Sequence, residues 1–201
     1  MAEIDPCTFS IKRRIDLPGH PCPISLALTG ERLWVGYGCS ARSRAASSLS
    51  TWRRPPPAPT PRGTIDGGTH DHSEVRDLVL TSDGTRVISA FDTPYRFDTW
   101  DTTTLSRTGH YGRHHEAFPT GLAISPDDTH VAGGRDGNTD VTVYDAATGA
   151  PVFSEDAPAG RFVTGGLAFS GTSLYALLRG AGDRLRLRRI EDVTPAPAPP
   201  A

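Results

Sequence analysis

Four stretches of this sequence align on a leucine. ISLALTGERLWVGY (24–37), RDLVLTSDGTRVISA (76–90), TGLAISPDDTHVAGG (120–134) and GGLAFSGTSLYALL (165–178) each carry an apolar run, a small polar break and a second apolar run. The anchors Leu26, Leu78, Leu122 and Leu167 are spaced by 52, 44 and 45 residues. Tandem repetition constrains the fold strongly, because each repeat is one unit that buries its apolar face only against its neighbours. The breaks SDGT (82–85) and PDDT (126–129) supply turn chemistry, since Asp and Gly accept the backbone angles of short loops.

A second phrase follows the paired runs: EIDPCTF (3–9), TWDTTTL (99–105) and VTVYDAATG (141–149). Strand-type residues lead into Asp5, Asp101 or Asp145, and a Thr stands three positions later. This reads as a third strand entering a turn, with the carboxylate accepting hydrogen bonds from amides one and two residues on. A fourth strand is predicted in TFSIKRRIDL (8–17), with a weaker counterpart in APVFSED (150–156). Four strands per unit of about 45 residues is the arithmetic of a β-propeller blade. The expected fold is all-β: a propeller-like array of about four four-stranded antiparallel blades, or an incomplete propeller. The blades fall near 24–66, 75–110, 119–156 and 163–192, with 3–17 closing a preceding or last blade and the whole array within 1–192. The innermost runs LAL, LVL, LAI and LAF are apolar on both faces and read as fully buried strands. Arg184, Arg186 and Arg188 alternate with Leu185 and Leu187, which suits an outer strand with one wet face.

Composition agrees. The 201 residues suit one domain, and 21 glycines with 18 prolines fit many turns between short strands. Lys12 is the only lysine, and a net charge of −2 gives no general pull toward nucleic acid. No run approaches the roughly 20 apolar residues of a membrane-spanning helix. Cys7, Cys22 and Cys39 are odd in number and widely spaced, which argues against a zinc pair or a disulfide framework and for small buried hydrophobes. Residues 41–63 break the pattern: they are rich in Arg and Pro, and Arg53 stands where the repeat wants Asp. They are expected to be an irregular insert, either a long Pro-rich loop or a frame-shifted patch. Residues 193–201 read as a Pro-rich tail.

LAISPDDTHVAGG with VTVYDAATGAPV, and EIDPCTFSIKRRIDLPG, resemble YVTN/WD-type propeller repeats. ISLALTGERLWVGYGC, TPYRFDTWDTTTL and LRLRRIEDVT resemble, more narrowly, the propeller region of large secreted actinobacterial proteins in which Ig-like repeats follow. The resemblance implies a propeller and assigns no catalytic residue. It also suggests a shortened relative of a larger secreted protein, extracellular if part of a longer parent. The opening residues lack a signal-peptide apolar core, so a chain complete as given would be cytoplasmic.

Propeller topology places the strand one–two and three–four turns on one face, and the longer loops on the other, where binding residues usually lie. That loop face supplies the candidate partner-binding residues Asp77, Asp92, Tyr95, Arg135, Asp136 and Asp183. It also carries His70, His72, His110, His114 and His115. Imidazole suits zinc, copper or nickel, so His70, His72, His114 and His115 are the candidate metal ligands, against the plainer reading of solvated loop histidines. Asp136, Asn138 and Asp140 alternate as at the start of a calcium loop, but the rest of that motif is missing. At the channel mouth, the positions before the anchors are Ser25, Asp77, Gly121 and Gly166. Asp77 alone titrates; one carboxylate is neither an acid–base pair nor a metal cage. The leading expectation is a non-catalytic interaction or scaffold module without a cofactor, whose partner is an unknown protein or ligand on the loop face. A metal-binding or lactonase-like hydrolase on the His-rich loops is the alternative, and a truncated remnant the third. Open blade edges would also let the chain self-associate.

Overall fold

The computed structural model describes residues 2–14, 22–30, 32–38, 48–53, 60–66, 75–91, 96–112, 118–136, 140–156 and 160–194. Strands β1 (Ala2–Ile4) and β2 (Ile11–Arg14) form a two-stranded sheet. The first blade runs β3 (Pro23–Thr29), β4 (Arg32–Tyr37), β5 (Ser48–Arg53) and β6 (Thr60–Asp66), each beside the next. The second is β7 (Val75–Leu80), β8 (Arg86–Phe91), β9 (Phe97–Asp101) and β10 (Arg107–Tyr111). The third is β11 (Phe118–Ile124), β12 (His130–Asp136), β13 (Asp140–Asp145) and β14 (Pro151–Asp156). The fourth has three strands: β15 (Arg161–Ser170), β16 (Ser173–Arg179) and β17 (Leu185–Ile190). Every neighbour pairs antiparallel, as chain-order meanders joined by hairpins must. This is an all-β, propeller-like array, and it is incomplete. Among the described residues the only helical turn is a 3-10 turn at Ala181–Asp183.

Apolar side chains are buried in slabs between consecutive blades. Trp34 and Ile65 of the first blade meet Leu78, Val87 and Trp100 of the second. Ile88, Ala90 and Phe97 of the second meet Leu122, Val131 and Tyr144 of the third. Val141 and Val143 of the third meet Leu167, Leu174 and Ile190 of the fourth. The period-two alternation of each strand therefore feeds two different slabs, one on each side of the sheet. Three anchor leucines, Leu78, Leu122 and Leu167, seat against the blade before their own. Gly133 permits one such approach: a Cβ there would lie 2.2 Å from the Phe97 ring of the preceding blade.

Three expectations are corrected. Leu26 and Leu28 are not buried: they are 51% and 57% exposed, because no described blade packs on that face of β3, whereas Leu78, Leu122 and Leu167 lie at 7% or less. Residues 41–63 are not irregular throughout, since they contain β5 and most of β6. Pro61 is tolerated because β6 is the outermost strand and its pairing to β5 slips by a bulge at Thr51 and Trp52. Prolines 55, 56, 57 and 59 lie outside the described residues. Finally, the described cysteines are not buried hydrophobes: Cys7 is exposed and free, and Cys22 is exposed and disulfide-bonded. Cys39 lies outside the described residues.

Candidate functional site

One turn is written three times, twice on one face of the array. Asp5 Oδ1 accepts from the Cys7 and Thr8 amides at 2.8 and 3.1 Å. Asp101 Oδ1 accepts from the Thr103 and Thr104 amides at 2.9 and 2.7 Å. Asp145 Oδ1 accepts from the Ala147 and Thr148 amides at 3.1 and 2.7 Å. The donors stand two and three residues on, one further than the sequence reading expected. Each turn closes by donation from the amide four residues on to the aspartate carbonyl, and that residue sits at positive φ: Phe9 at 52°, Leu105 at 58° and Gly149 at 73°. Within the second blade, Thr102 Oγ1 donates to the Gly84 carbonyl at 2.7 Å; within the third, the Ala146 amide donates to the Thr129 carbonyl at 2.8 Å. These bonds put the one–two and three–four turns on the same face. Between blades, Asp128 receives the Ser82 hydroxyl at 2.6 Å and the Ser82 amide at 2.8 Å.

These turns hold their carboxylates ionised. Amides of Cys7 and Thr8 lower the pKa of Asp5, and those of Thr104 and Thr103 lower that of Asp101. Hydroxyl donation from Thr81 lowers that of Asp83, and donation from the Thr148 hydroxyl and amide lowers that of Asp145. Asp127, held by the Ser125 and Thr129 hydroxyls, falls to about 2.

Asp77 sits at the opposite extreme. It lies on the innermost strand of the second blade, 7% exposed. Oδ1 accepts from its neighbour Leu78 N–H at 2.9 Å, and Oδ2 accepts from Leu122 N–H of the third blade at 2.8 Å. The Gly165 amide of the fourth blade bears on the same carboxylate. Burial outweighs these donors and pushes the pKa up to about 6. One side chain thus ties the inner strands of three blades together around the axis. Its quasi-equivalents Gly121 and Gly166 leave room there: a Cβ on Gly121 would meet Leu167 at 3.3 Å, and one on Gly166 the Val163 carbonyl at 2.6 Å.

Arg135 is buried in β12 at 4% exposure. Its Nη2 donates to the Tyr144 hydroxyl at 2.6 Å, its Nη1 to Thr142 Oγ1 at 3.5 Å, and the guanidinium lies 5.5 Å over the Phe97 ring. It therefore bridges the second and third blades. Asp183 is exposed in the 3-10 turn and pairs with Arg179 at 3.5 Å. Asp136 ends β12; its side chain lies outside the description. Asp92, Tyr95, His70, His72, His114 and His115 lie outside the described residues. Among the described residues Asp77, Arg135 and Asp183 share no hydrogen bond or ion pair, and no group of three His, Cys, Asp or Glu side chains could hold a metal.

Sequence reasoning missed Asp98, 1% exposed and paired with Arg96 at 2.7 Å and Arg107 at 3.7 Å. Beside it the Trp100 indole N–H donates to Ser89 Oγ at 2.9 Å. A signal existed: Arg96 and Asp98 are two apart in a strand pattern, which puts them on one face.

No family model matches this chain, and no curated protein matches it. Among solved structures it is similar to a chain titled Crystal Structure of Mitotic Checkpoint Complex, at 22% identity and TM-score 0.63 over 81% of this chain and 48% of that one. It is also similar to Kuenenia stuttgartiensis hydrazine synthase, at 18% identity and TM-score 0.65 over 87% of this chain and 48% of that one. At such identity the likeness shows the β-propeller fold alone. This chain spans about half the length of each.

Proposed function

We propose that the protein is a non-catalytic β-propeller module of YVTN/WD type that binds a partner through its inter-blade loops. One observation carries this reading: the well-placed carboxylates are already committed. Five turn aspartates bind their own amides and hydroxyls, Asp77 ties blades together, and Asp98 pairs with two arginines. None of these is left to act as a general acid or base. The turn face spends its polar groups internally, and the longer loops around Asp92, Tyr95, Asp136 and Asp183 are where a partner would dock. The disulfide at Cys22 supports the extracellular alternative, since disulfides persist in oxidising compartments.

The test compares two variants by cross-linking capture from the native source. Asp92→Ala/Tyr95→Ala/Asp183→Ala alters the loop face, and Asp101→Ala alters a turn. Specific capture by the wild type and by Asp101→Ala, lost in the triple variant, is the expected result. Capture indifferent to the loop variant rejects the loop face. Stoichiometric zinc in the purified protein, lost on His70→Ala or His114→Ala, would replace this reading with the metal-binding one.

A further inference from the structure

We infer that Val163–Gly166 of the fourth blade is a flap laid across the axis of the array at its loop-face end, with Asp77 of the second blade as its catch. Every inner strand is bulged just before its anchor leucine, and the fourth is bulged differently. In the first three blades one residue is left over between paired neighbours: Ile24 in β3, Arg76 in β7 and Thr120 in β11. In β15 four residues, Val163–Gly166, lie between Phe162 and Leu167, opposite Leu177 alone. One extra residue kinks a strand; four opposite one leave the ladder as a short arch. Gly165 bends that arch at a φ of 69°. Thr164 and Gly165 are exposed, while Phe162 and Leu167 on either side are buried in the slab shared with the third blade. The feet of the arch are pinned and its crown is in water.

The arch passes over the third blade and reaches the second. A Cβ on Gly121 of β11 would lie 3.9 Å from the Val163 carbonyl. Beyond it, the Gly165 amide bears on the Asp77 carboxylate, and it is the weakest of the three amide donors there. The crown has little else to hold it: a Cβ on Gly165 would meet nothing within 4 Å. Lifting it therefore exposes little apolar surface, while Phe162 and Leu167 stay in place as hinges. What the lift uncovers is the 2.8 Å bond from Leu122 N–H to Asp77 Oδ2, at the end of the axis where the longer inter-blade loops gather. Segments that open to admit a ligand come from the least stable parts of a fold, and this arch is such a segment.

The inference holds whatever binds the loops. Amide hydrogen exchange of the full chain, read residue by residue by NMR at one pH, tests it. Leu122 should exchange faster than the core amides of Leu174 and Ala176, and low urea should leave its rate unchanged, because a local lift exposes little surface. Gly165→Ala adds no clash but strains the left-handed backbone that the closed flap needs. It should speed Leu122 exchange roughly five- to thirtyfold, although Leu122 belongs to another blade. Gly165→Asn should recover most of the wild-type rate, since Asn visits that conformation. Thr164→Gly, at an exposed site, loosens the crown without touching the core and should move Leu122 the same way, which keeps the test open if Gly165→Ala misfolds. Leu122 exchange that follows urea as steeply as Ala176, or that ignores both Gly165→Ala and Thr164→Gly, would overturn the inference.

Discussion

Asp77 and Asp127 show how the same side chain takes opposite roles when it is buried and when it is exposed. Asp127 is solvated and hydroxyl-bound, so its pKa drops to about 2; Asp77 is desolvated, so its pKa rises to about 6. The rise sets a sign. Between pH 4 and 6 the folded protein keeps a proton on Asp77 that the unfolded chain, near 3.8, has released. Stability from this group is therefore full below about pH 4 and falls as pH rises through 6, by about 3 kcal/mol at most. Urea unfolding at pH 4.5 and 7 should show that loss in the wild type, and Asp77→Asn should flatten it. An unchanged slope in the variant would assign the pH dependence elsewhere. The lowered turn aspartates titrate below this window and do not mask it. The turns at Asp101 and Asp145 were legible in sequence because every partner of the two carboxylates lies within three residues. The bond from Leu122 to Asp77 was not, because it spans 45 residues and depends on how blades converge.

At the scale of elements, strand alternation was readable and the partner of each face was not. The motif TWDTTTL predicts a strand and a turn; it does not say that Phe97 faces the third blade while Trp100 faces the first. Glycines carry that information once the sheets are stacked. Gly133→Ala would drive a Cβ into the Phe97 ring, which is fully buried and hemmed by Arg135 and Tyr144. The expected cost is about 1–3 kcal/mol, read as a lower thermal midpoint. Phe97→Leu in the same background should recover part of it if the clash is the cause. The segment 41–63 misled the reading for a related reason. Proline forbids a ladder only where its missing N–H is needed, and the outermost strand β6 does not need it at Pro61.

For the whole molecule, the cysteines provide a check on both covalent structure and compartment. Titration of native protein with a thiol reagent should find one reactive group, Cys7, and three after reduction and denaturation. Three thiols in the unreduced protein would remove the support for an oxidising compartment. The sequence by itself determined the repeat, its period, the strand–turn alternation and the all-β architecture. Those follow from hydrogen bonds and side-chain periodicity that act within one blade. Only the tertiary structure decided that Leu26 is exposed while Leu78, Leu122 and Leu167 are buried, and that one carboxylate ties three blades. A repeat encodes the same face each time, and burial depends on whether a neighbour exists to cover it.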